Sequence, residues 1–597
     1  MAYSFKENKR TENLQSNYDK FPVVKVPGFE RGCLSGWEAI AEAIRQQLPD
    51  TSREKAVLVV ECYHGVEEQE ARKALLERLR PVVVIEAEKA YLSEEQLDEL
   101  TFPDVTDDRI FGFMTRLTID RFFDPGKLEA ARRQLRGVER GLVLVLGVGA
   151  AHLAEKWDVL AYADMARWEI QQRMRRHEVA NLGATNFTED FARQYKRAYF
   201  VDWRVCDRVK KQLLPRSDFL LDTNKPGQPK MVSGEALLAG LKQAICRPFR
   251  VAPFFDPGPW GGQWMKKVCG LDPSLPNYAW CFDCVPEENS LLLGYGEAVV
   301  EIPSVNLVFF HPEELLGGSV YSRFGPEFPI RFDFLDTMGG GNLSLQVHPL
   351  TEYIQEHFGM HYTQDESYYL LDAGEEAFVY LGLKEGIDKE AMIKALQDAQ
   401  NGGAPFEAEQ YVEKWPVRKH DHFLIPAGTV HCSGKDSMVL EISATPYIFT
   451  FKLWDWGRLG LDGKPRPINI EHGRNVIQWQ RDTSWVGRNL VNRIEPVAEG
   501  KGWREEKTGL HKLEFIESRR HWFTGKVDHH TGGGVNVLNL VEGREAIVES
   551  PDGAFEPFVV HYAETFIVPA AVGAYSIRPY GESEGKECAT IKAFVRT

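Results

Sequence analysis

Between Asn342 and Pro349 the chain reads Asn-Leu-Ser-Leu-Gln-Val-His-Pro. Taken as a β-strand, its period of two sends Leu343, Leu345 and Val347 to one face and Ser344, Gln346 and His348 to the other. The second face offers a hydroxyl, an amide and an imidazole in a row, a set suited to holding a metal ion beside a polar ligand. Glu366 follows within Asp365-Glu366-Ser367-Tyr368-Tyr369-Leu370-Leu371, and His431 ends the run Phe423-Leu424-Ile425-Pro426-Ala427-Gly428-Thr429-Val430-His431. Two imidazoles, one carboxylate and one amide on strand-like segments make a nitrogen and oxygen donor set for a divalent cation.

The elements that must position these groups begin after a Pro-rich stretch near residues 245–260. From there the sequence is β-rich, with aromatic and β-branched runs broken by Gly, Pro and Asp turns. Leu370 to Gly382 reads as a hairpin. Thr351 to His357 reads as a short helix capped by Thr351, with Gly359 just past its end. A second helix, Asp388 to Ala399 with Asp388 as its cap, is inserted between strands. Residues 495–508 are polar and Gly-containing and read as a linker. The run from Phe423 to His431 is echoed by Phe566-Ile-Val-Pro-Ala-Ala-Val-Gly-Ala574, where Ala574 stands in the place of His431. Two related β-units are therefore expected, with the donor kept only in the first. His529 and His530, in the second, read as surface or loop residues.

This ordered set of motifs resembles the class I mannose-6-phosphate isomerases, which are zinc-dependent cupins. The resemblance covers roughly residues 248–597. Trp260-Gly261-Gly262, Phe334-Leu335-Asp336, Leu440-Glu441-Ile442 and Trp454-Asp455-Trp456-Gly457-Arg458 resemble further signatures of that family in the family's order. The resemblance implies Gln346, His348, Glu366 and His431 as ligands of one Zn²⁺ per chain. It implies a jelly-roll metal-binding domain at 248–495 with a helical insertion, and a metal-free cupin-like domain at 509–597. The implied reaction interconverts mannose 6-phosphate and fructose 6-phosphate through an enediolate, with a small sugar phosphate as partner. Ser344 then orients the phosphate end, Lys452 stabilises or relays charge, and Glu441 is an acid/base candidate.

Three positions depart from the family pattern. Gln364 and Asp333 stand where the family has lysines, and Lys452 stands where it has a catalytic arginine. Lysine keeps the charge without the planar two-point fork. Arg458 or Lys452 is the expected compensating cation for a phosphate, with Gln364 beside it in the substrate pocket. Two other readings follow. One is a related isomerase acting on an unphosphorylated sugar. The other is a catalytically inactive, sugar-binding regulatory cupin.

Residues 1–245 read as an α/β unit with a parallel sheet, from the apolar strands at Lys55–Glu61, Pro81–Glu86, Gly141–Gly147 and Val159–Ala163. Their order resembles a nucleoside (uridine) kinase-type P-loop fold, and the Arg-rich stretch Arg167–Arg176 resembles its lid. The first strand, however, runs into Cys62-Tyr63-His64-Gly65-Val66-Glu67-Glu68, and no Gly-Lys-Ser or Gly-Lys-Thr occurs in the chain. Without that lysine and hydroxyl, and with acids where a phosphate would dock, a degenerate, non-catalytic unit is expected. Gly147-Val-Gly149 reads as a close strand-to-helix turn.

The 597-residue length points to several domains, with 43% hydrophobic and 26% charged residues. A net charge of −16 speaks against general affinity for nucleic acid or anionic membrane. The opening Met1–Arg10 carries no apolar core of a leader and no run is long enough to span a bilayer, so a cytoplasmic location is expected. Nine scattered cysteines fit a reducing compartment, and Cys281-Phe-Asp-Cys284 lacks the second pair that a zinc ribbon needs.

Overall fold

The structure is a computed structural model that describes residues 16–444, 449–460, 463, 466–509 and 514–597. The opening segment Met1–Arg10 lies outside them. The chain combines an α/β unit with two β-rich units.

In the first unit a seven-stranded sheet runs in the order Cys33–Ser35, Lys230–Ser233, Phe219–Asp222, Val159–Asp164, Lys55–Cys62, Gly141–Gly147, Val83–Glu86. The pairings from Phe219–Asp222 through Val83–Glu86 are parallel. Lys230–Ser233 and Cys33–Ser35 close one edge with antiparallel pairings. Val59, Val60, Val143 and Val145 are fully buried, as strands covered on both faces must be. The helix Glu68–Leu79 ends on Arg80 in the left-handed region, at φ 50°, just before Pro81. The Gly147-Val-Gly149 segment is a tight turn into the short helix Ala150–Ala154. Gly149 has φ 81°, and a Cβ there would stand 2.8 Å from Ile119. Glu61 fills the space in front of that turn, accepting the Gly149 and Ala151 amides at 2.6 and 2.8 Å.

The middle unit is two sheets whose inner faces meet. One has six strands in the order His422–Ile425, Asp365–Ala373, Ser437–Ala444, Arg331–Asp336, Trp280–Cys284, Phe254–Asp256. The other has five, in the order Val412–Pro416, Phe378–Leu383, His431–Ser433, Leu345–Val347, Phe451–Trp454. Asp365–Ala373 and Phe378–Leu383 are therefore not the hairpin expected from their sequence. Asp365–Ala373 is paired on both edges, by Ser437–Ala444 and His422–Ile425, so the chain at Gly374–Ala377 crosses to the opposite sheet. The inserted helix is Lys389–Gln400, capped by Asp388 on the Glu390 and Ala391 amides. The helix Thr351–Phe358 ends at Gly359 as expected, but Leu350 holds its N-cap position and Thr351 is already helical.

The last unit repeats the two-sheet plan, with six and four strands. Residues 495–508, expected as a linker, form the antiparallel pair Glu495–Gly500 and Trp503–Gly509 on the edge of its larger sheet. Polar residues suit such an edge because one face meets solvent. The sequence echo is also a structural one. His422–Ile425 and Thr565–Val568 each end a six-stranded sheet, and each turns through its Pro-Ala segment into a strand of the opposite sheet. His530 is exposed, but His529 is buried at 7%, stacked on Tyr575 at 5.1 Å and 12°. The alternation of a strand, not a loop, turns it inward.

The units are fastened to one another. Val23–Lys25 adds a parallel strand to Ser290–Tyr295. Arg250, 3% exposed, reaches Glu564 at 2.8 Å, Asp283 at 3.5 Å and the Asp19 carbonyl at 2.7 Å. Lys210 of the first unit reaches Asp164 at 2.7 Å and Asn306 at 3.3 Å. One apolar core runs continuously from the α/β sheet into the middle unit. Among the described residues, no helix is long and apolar enough to cross a membrane.

Candidate metal centre and the pocket beside it

The strand Leu345–Val347 sits between His431–Ser433 and Phe451–Trp454, and its register places Gln346 directly opposite both His431 and Lys452. Three side chains distant in sequence thus share one face of the five-stranded sheet. Glu366 comes from the facing sheet. His431 Nε2 stands 2.8 Å from Glu366 Oε1, and His348 Nε2 stands 3.1 Å from Glu366 Oε2. One donor atom from each of His348, Glu366 and His431 lies within 4.8 Å of the others, and all three residues are fully buried. Gln346 joins them with its amide nitrogen 3.2 Å from His431 Nε2. A half-turn of that amide presents its oxygen instead.

Backbone carbonyls fix both imidazoles. His348 Nδ1 bonds the Phe449 carbonyl at 2.9 Å, and His431 Nδ1 bonds the Thr429 carbonyl at 2.8 Å. Each Nδ1 therefore carries a proton, and Nε2, turned toward Glu366, is the atom left to bind a cation. His348 Nε2 and Glu366 Oε1 are buried without a hydrogen-bond partner. Burial by itself would raise the Glu366 carboxyl, but positive charge and hydrogen bonding from the imidazole side hold it well below its usual range, and the same carboxylate raises His348. The buried carboxylate thus calls for positive charge between itself and the two Nε2 atoms, which a divalent cation supplies in place of protons.

The turn that delivers His431 is held from several sides. Asp365 accepts the Ala427 amide at 2.7 Å, and the Gly428 amide donates to the His348 carbonyl at 2.9 Å. Gly428 has φ 86°, and a Cβ there would meet Gln478 at 2.6 Å, so only glycine fits. Arg481, which no motif singles out, donates to the Pro426 and Ala427 carbonyls, each at 2.7 Å.

Beside this cluster lies a cavity of about 280 Å³. Ser344, Gln346, Gln364, Glu441 and Lys452 line it, as does Asp333. Gln364 donates to Glu366 Oε2 at 2.8 Å. Burial pushes Glu441 well up, and the charges of Glu366 and Asp333 push it further. Asp333 is pushed up to about 7, chiefly by burial. Burial and the neighbouring Arg466 push the Lys452 ammonium down to about 7. Arg458 is not among the lining residues. Its guanidinium bonds the Asn342 carbonyl at 2.6 Å and Asp455 at 2.5 Å, bracing the approach to the Ser344–His348 segment. Trp456 helps by donating to the Leu343 carbonyl at 2.7 Å. Arg466, paired with Asp455 at 2.7 Å, lines the cavity beside Lys452.

The remaining wall comes from the α/β unit, through Gln171, Arg175, Phe191, Tyr195 and Tyr199. The Arg-rich helix Arg167–Arg175 is packed rather than lid-like, with Arg167, Glu169, Gln171 and Arg173 buried. No spacing in the sequence signals this contribution, because these residues lie far upstream of every motif they face.

A family model described as a domain of unknown function (DUF8485) matches residues 36–246. The chain is 29% identical over 220 residues to the mannose-6-phosphate isomerase of Streptococcus mutans, covering 36% of this chain and 64% of the relative. It is 28% identical over 154 residues to the mannose-6-phosphate isomerase ManA of Bacillus subtilis, covering 26% of this chain and 45% of the relative. The chain thus spans between about half and just under two thirds of the length of these curated relatives. The solved mannose 6-phosphate isomerase of Bacillus subtilis aligns with a TM-score of 0.47 at 18% identity, over 58% of this chain and 99% of that one.

Proposed function

We propose that the chain is a metal-dependent aldose–ketose isomerase, with mannose 6-phosphate and fructose 6-phosphate as its sugar pair. The observation that carries this reading is the convergence of His348, Glu366 and His431, with Gln346, beside a cavity lined by Gln346, Lys452 and Glu441. The donor set fits Zn²⁺, one per chain, held by Gln346, His348, Glu366 and His431. When bound, the ion withdraws charge from the sugar oxygens and makes the adjacent carbon acid stronger.

The side chains supply the proton traffic. Isomerisation moves one proton from C2 to C1 and another from O2 to O1. Glu441, whose burial makes its carboxylate strongly basic, accepts the carbon-bound proton and returns it to the neighbouring carbon. Lys452 in its ammonium form donates toward the oxygen where charge develops. Ser344 and Arg466 face the same cavity and are the groups available to a phosphate. The test is an isomerase assay during metal removal and restoration. Activity should vanish and return with the metal, and full turnover in metal-free protein would refute the reading.

A second reading, an isomerase of an unphosphorylated sugar, is favoured by the amide and carboxylate at Gln364 and Asp333 and by the withdrawal of Arg458 from the cavity. Assay of phosphorylated and free mannose side by side separates the two.

A further inference from the structure

The candidate metal centre adjoins the cavity through Gln346 and Gln364, which touch His431 and Glu366. The register puts Tyr368, Glu441, Asp333, Phe282 and Phe254 in one row across the six-stranded sheet. Side chains alternate along each strand, so this row shares its face with Glu366, two residues from Tyr368. From the Glu366 strand to the Phe254 strand there are four inter-strand steps, about 19 Å at the usual spacing. A hexose 6-phosphate stretched from C1 to phosphorus has seven bonds and spans about 9 Å. Sheet curvature trims the first figure without closing the gap. A substrate with C1 and C2 at the metal centre therefore leaves the far half of the floor uncovered.

That far half is built as a site. Phe254 and Phe282 line it as a stacked pair, with ring centroids 5.9 Å apart and planes within 7°, and Trp168 stacks on Phe254 at 6.1 Å. Phe191 and Tyr195 of the α/β unit, stacked at 5.9 Å, line it too, with the Arg175 guanidinium 4.6 Å over the Phe191 ring. Polar groups stand at the edges. Tyr195 donates to Glu288 at 2.8 Å, Gln171 bonds the other oxygen of Glu288, and Arg175 meets Asp256 through two bonds of 2.9 Å each. Two carboxylates face one guanidinium here, and adding Arg331 with its neighbour Asp333 leaves that balance unchanged. Such a charge balance disfavours a phosphate or a nucleotide. An aromatic lining bordered by carboxylate, amide and guanidinium groups suits an uncharged ring with an apolar C–H face and hydroxyls at its rim.

We infer that this half of the cavity is a second sugar subsite, taking a neutral glycosyl ring attached beyond C2 of the sugar being isomerised. The substrate class is then a reducing disaccharide, whether or not its reducing sugar carries a phosphate. The inference rests on the isomerase reading for the near end, and it gives the α/β unit a role as the wall that recognises the second ring.

The test compares mannose with a mannosyl-mannose disaccharide on the metal-loaded, full-length protein, both in equilibrium binding by calorimetry and as isomerase substrates. The disaccharide should bind at least about tenfold more tightly, the scale of one good aromatic contact. The affinity ratio should fall to about one in Tyr195→Ala or Phe254→Ala and survive in Tyr195→Phe, whose melting temperature controls for folding. A ratio near one in the unaltered protein, or one that persists in both alanine variants, overturns the subsite. Turnover without discrimination sinks the subsite alone. Discrimination in binding without turnover of either sugar sinks the isomerase reading alone. Failure to bind either sugar sinks both.

Discussion

Gln364 donates its amide N–H to Glu366 at 2.8 Å, so a side chain that lines the cavity is turned onto the candidate metal-binding carboxylate. That relationship ties the chemistry of the metal centre to the question of what the cavity accepts.

Replacing this residue should change selectivity. In Gln364→Lys an ammonium enters the cavity beside Ser344 and Gln346. The ratio of kcat/KM for mannose 6-phosphate over free mannose should rise about tenfold or more, because a new charge-assisted contact is worth about 1.5–3 kcal/mol. Steady-state kinetics on both sugars checks this. A ratio that stays the same would mean that the phosphate does not approach this corner.

Lys452 gives the reaction a pH limb. Burial and the neighbouring Arg466 place its ammonium near 7, so the charged form predominates below that value and is lost above it. If the ammonium assists the oxygen, kcat/KM should fall as pH rises through about 7. In Lys452→Arg the limb should move to higher pH, because a guanidinium stays charged. A profile with the same limb in both proteins would remove Lys452 from the mechanism.

Acid stability depends on a different carboxylate. Burial alone would raise Glu542, but hydrogen bonding to His420 at 3.0 Å and the charge of Lys419 outweigh it and hold the group down to about 2. A folded value below the unfolded one contributes stability above the ordinary Glu range, and that contribution fades as pH falls from about 4.5 toward 2. Glu542→Gln should flatten the decline of the urea midpoint between pH 5 and 3. An unchanged slope would contradict the linkage.

The junction at Arg250 is a stability element. Arg250→Met leaves Glu564 and Asp283 buried without their shared cation, which costs about 3–5 kcal/mol for a broken buried pair. In a protein of several units the loss should appear as an earlier first unfolding transition in urea and as faster hydrogen exchange near Thr565. Exchange at the unaltered rate would show that the cluster is dispensable.

The sequence exposed the near end of the site and concealed the far end, for a physical reason. Period-two alternation over Leu343–His348 and the Pro-Ala-Gly turn before His431 are local signals, and Gln346, His348, Glu366 and His431 do come together. Arg466, Arg481, Arg175 and Tyr195 reach the site or its supports through tertiary packing, which leaves no mark on spacing. Strand partners were equally hidden. Asp365–Ala373 and Phe378–Leu383 carry the alternation of a hairpin, but only the competition of Ser437–Ala444 and His422–Ile425 for both edges of the first shows that they lie in different sheets. His529 has no partner in the sequence pattern that marks it as buried, and only the strand that turns it inward brings it against Tyr575 and His521.

Elemental analysis of the purified chain, paired with isomerase assay, decides whether these four side chains hold a working metal. The unaltered protein should carry one divalent ion per chain. His348→Ala/His431→Ala should carry none, with kcat/KM falling by about a hundredfold or more as the metal's several kcal/mol are lost. A chain that holds no cation, or that isomerises its sugar at full rate after the cation is stripped, would rule the metal centre out.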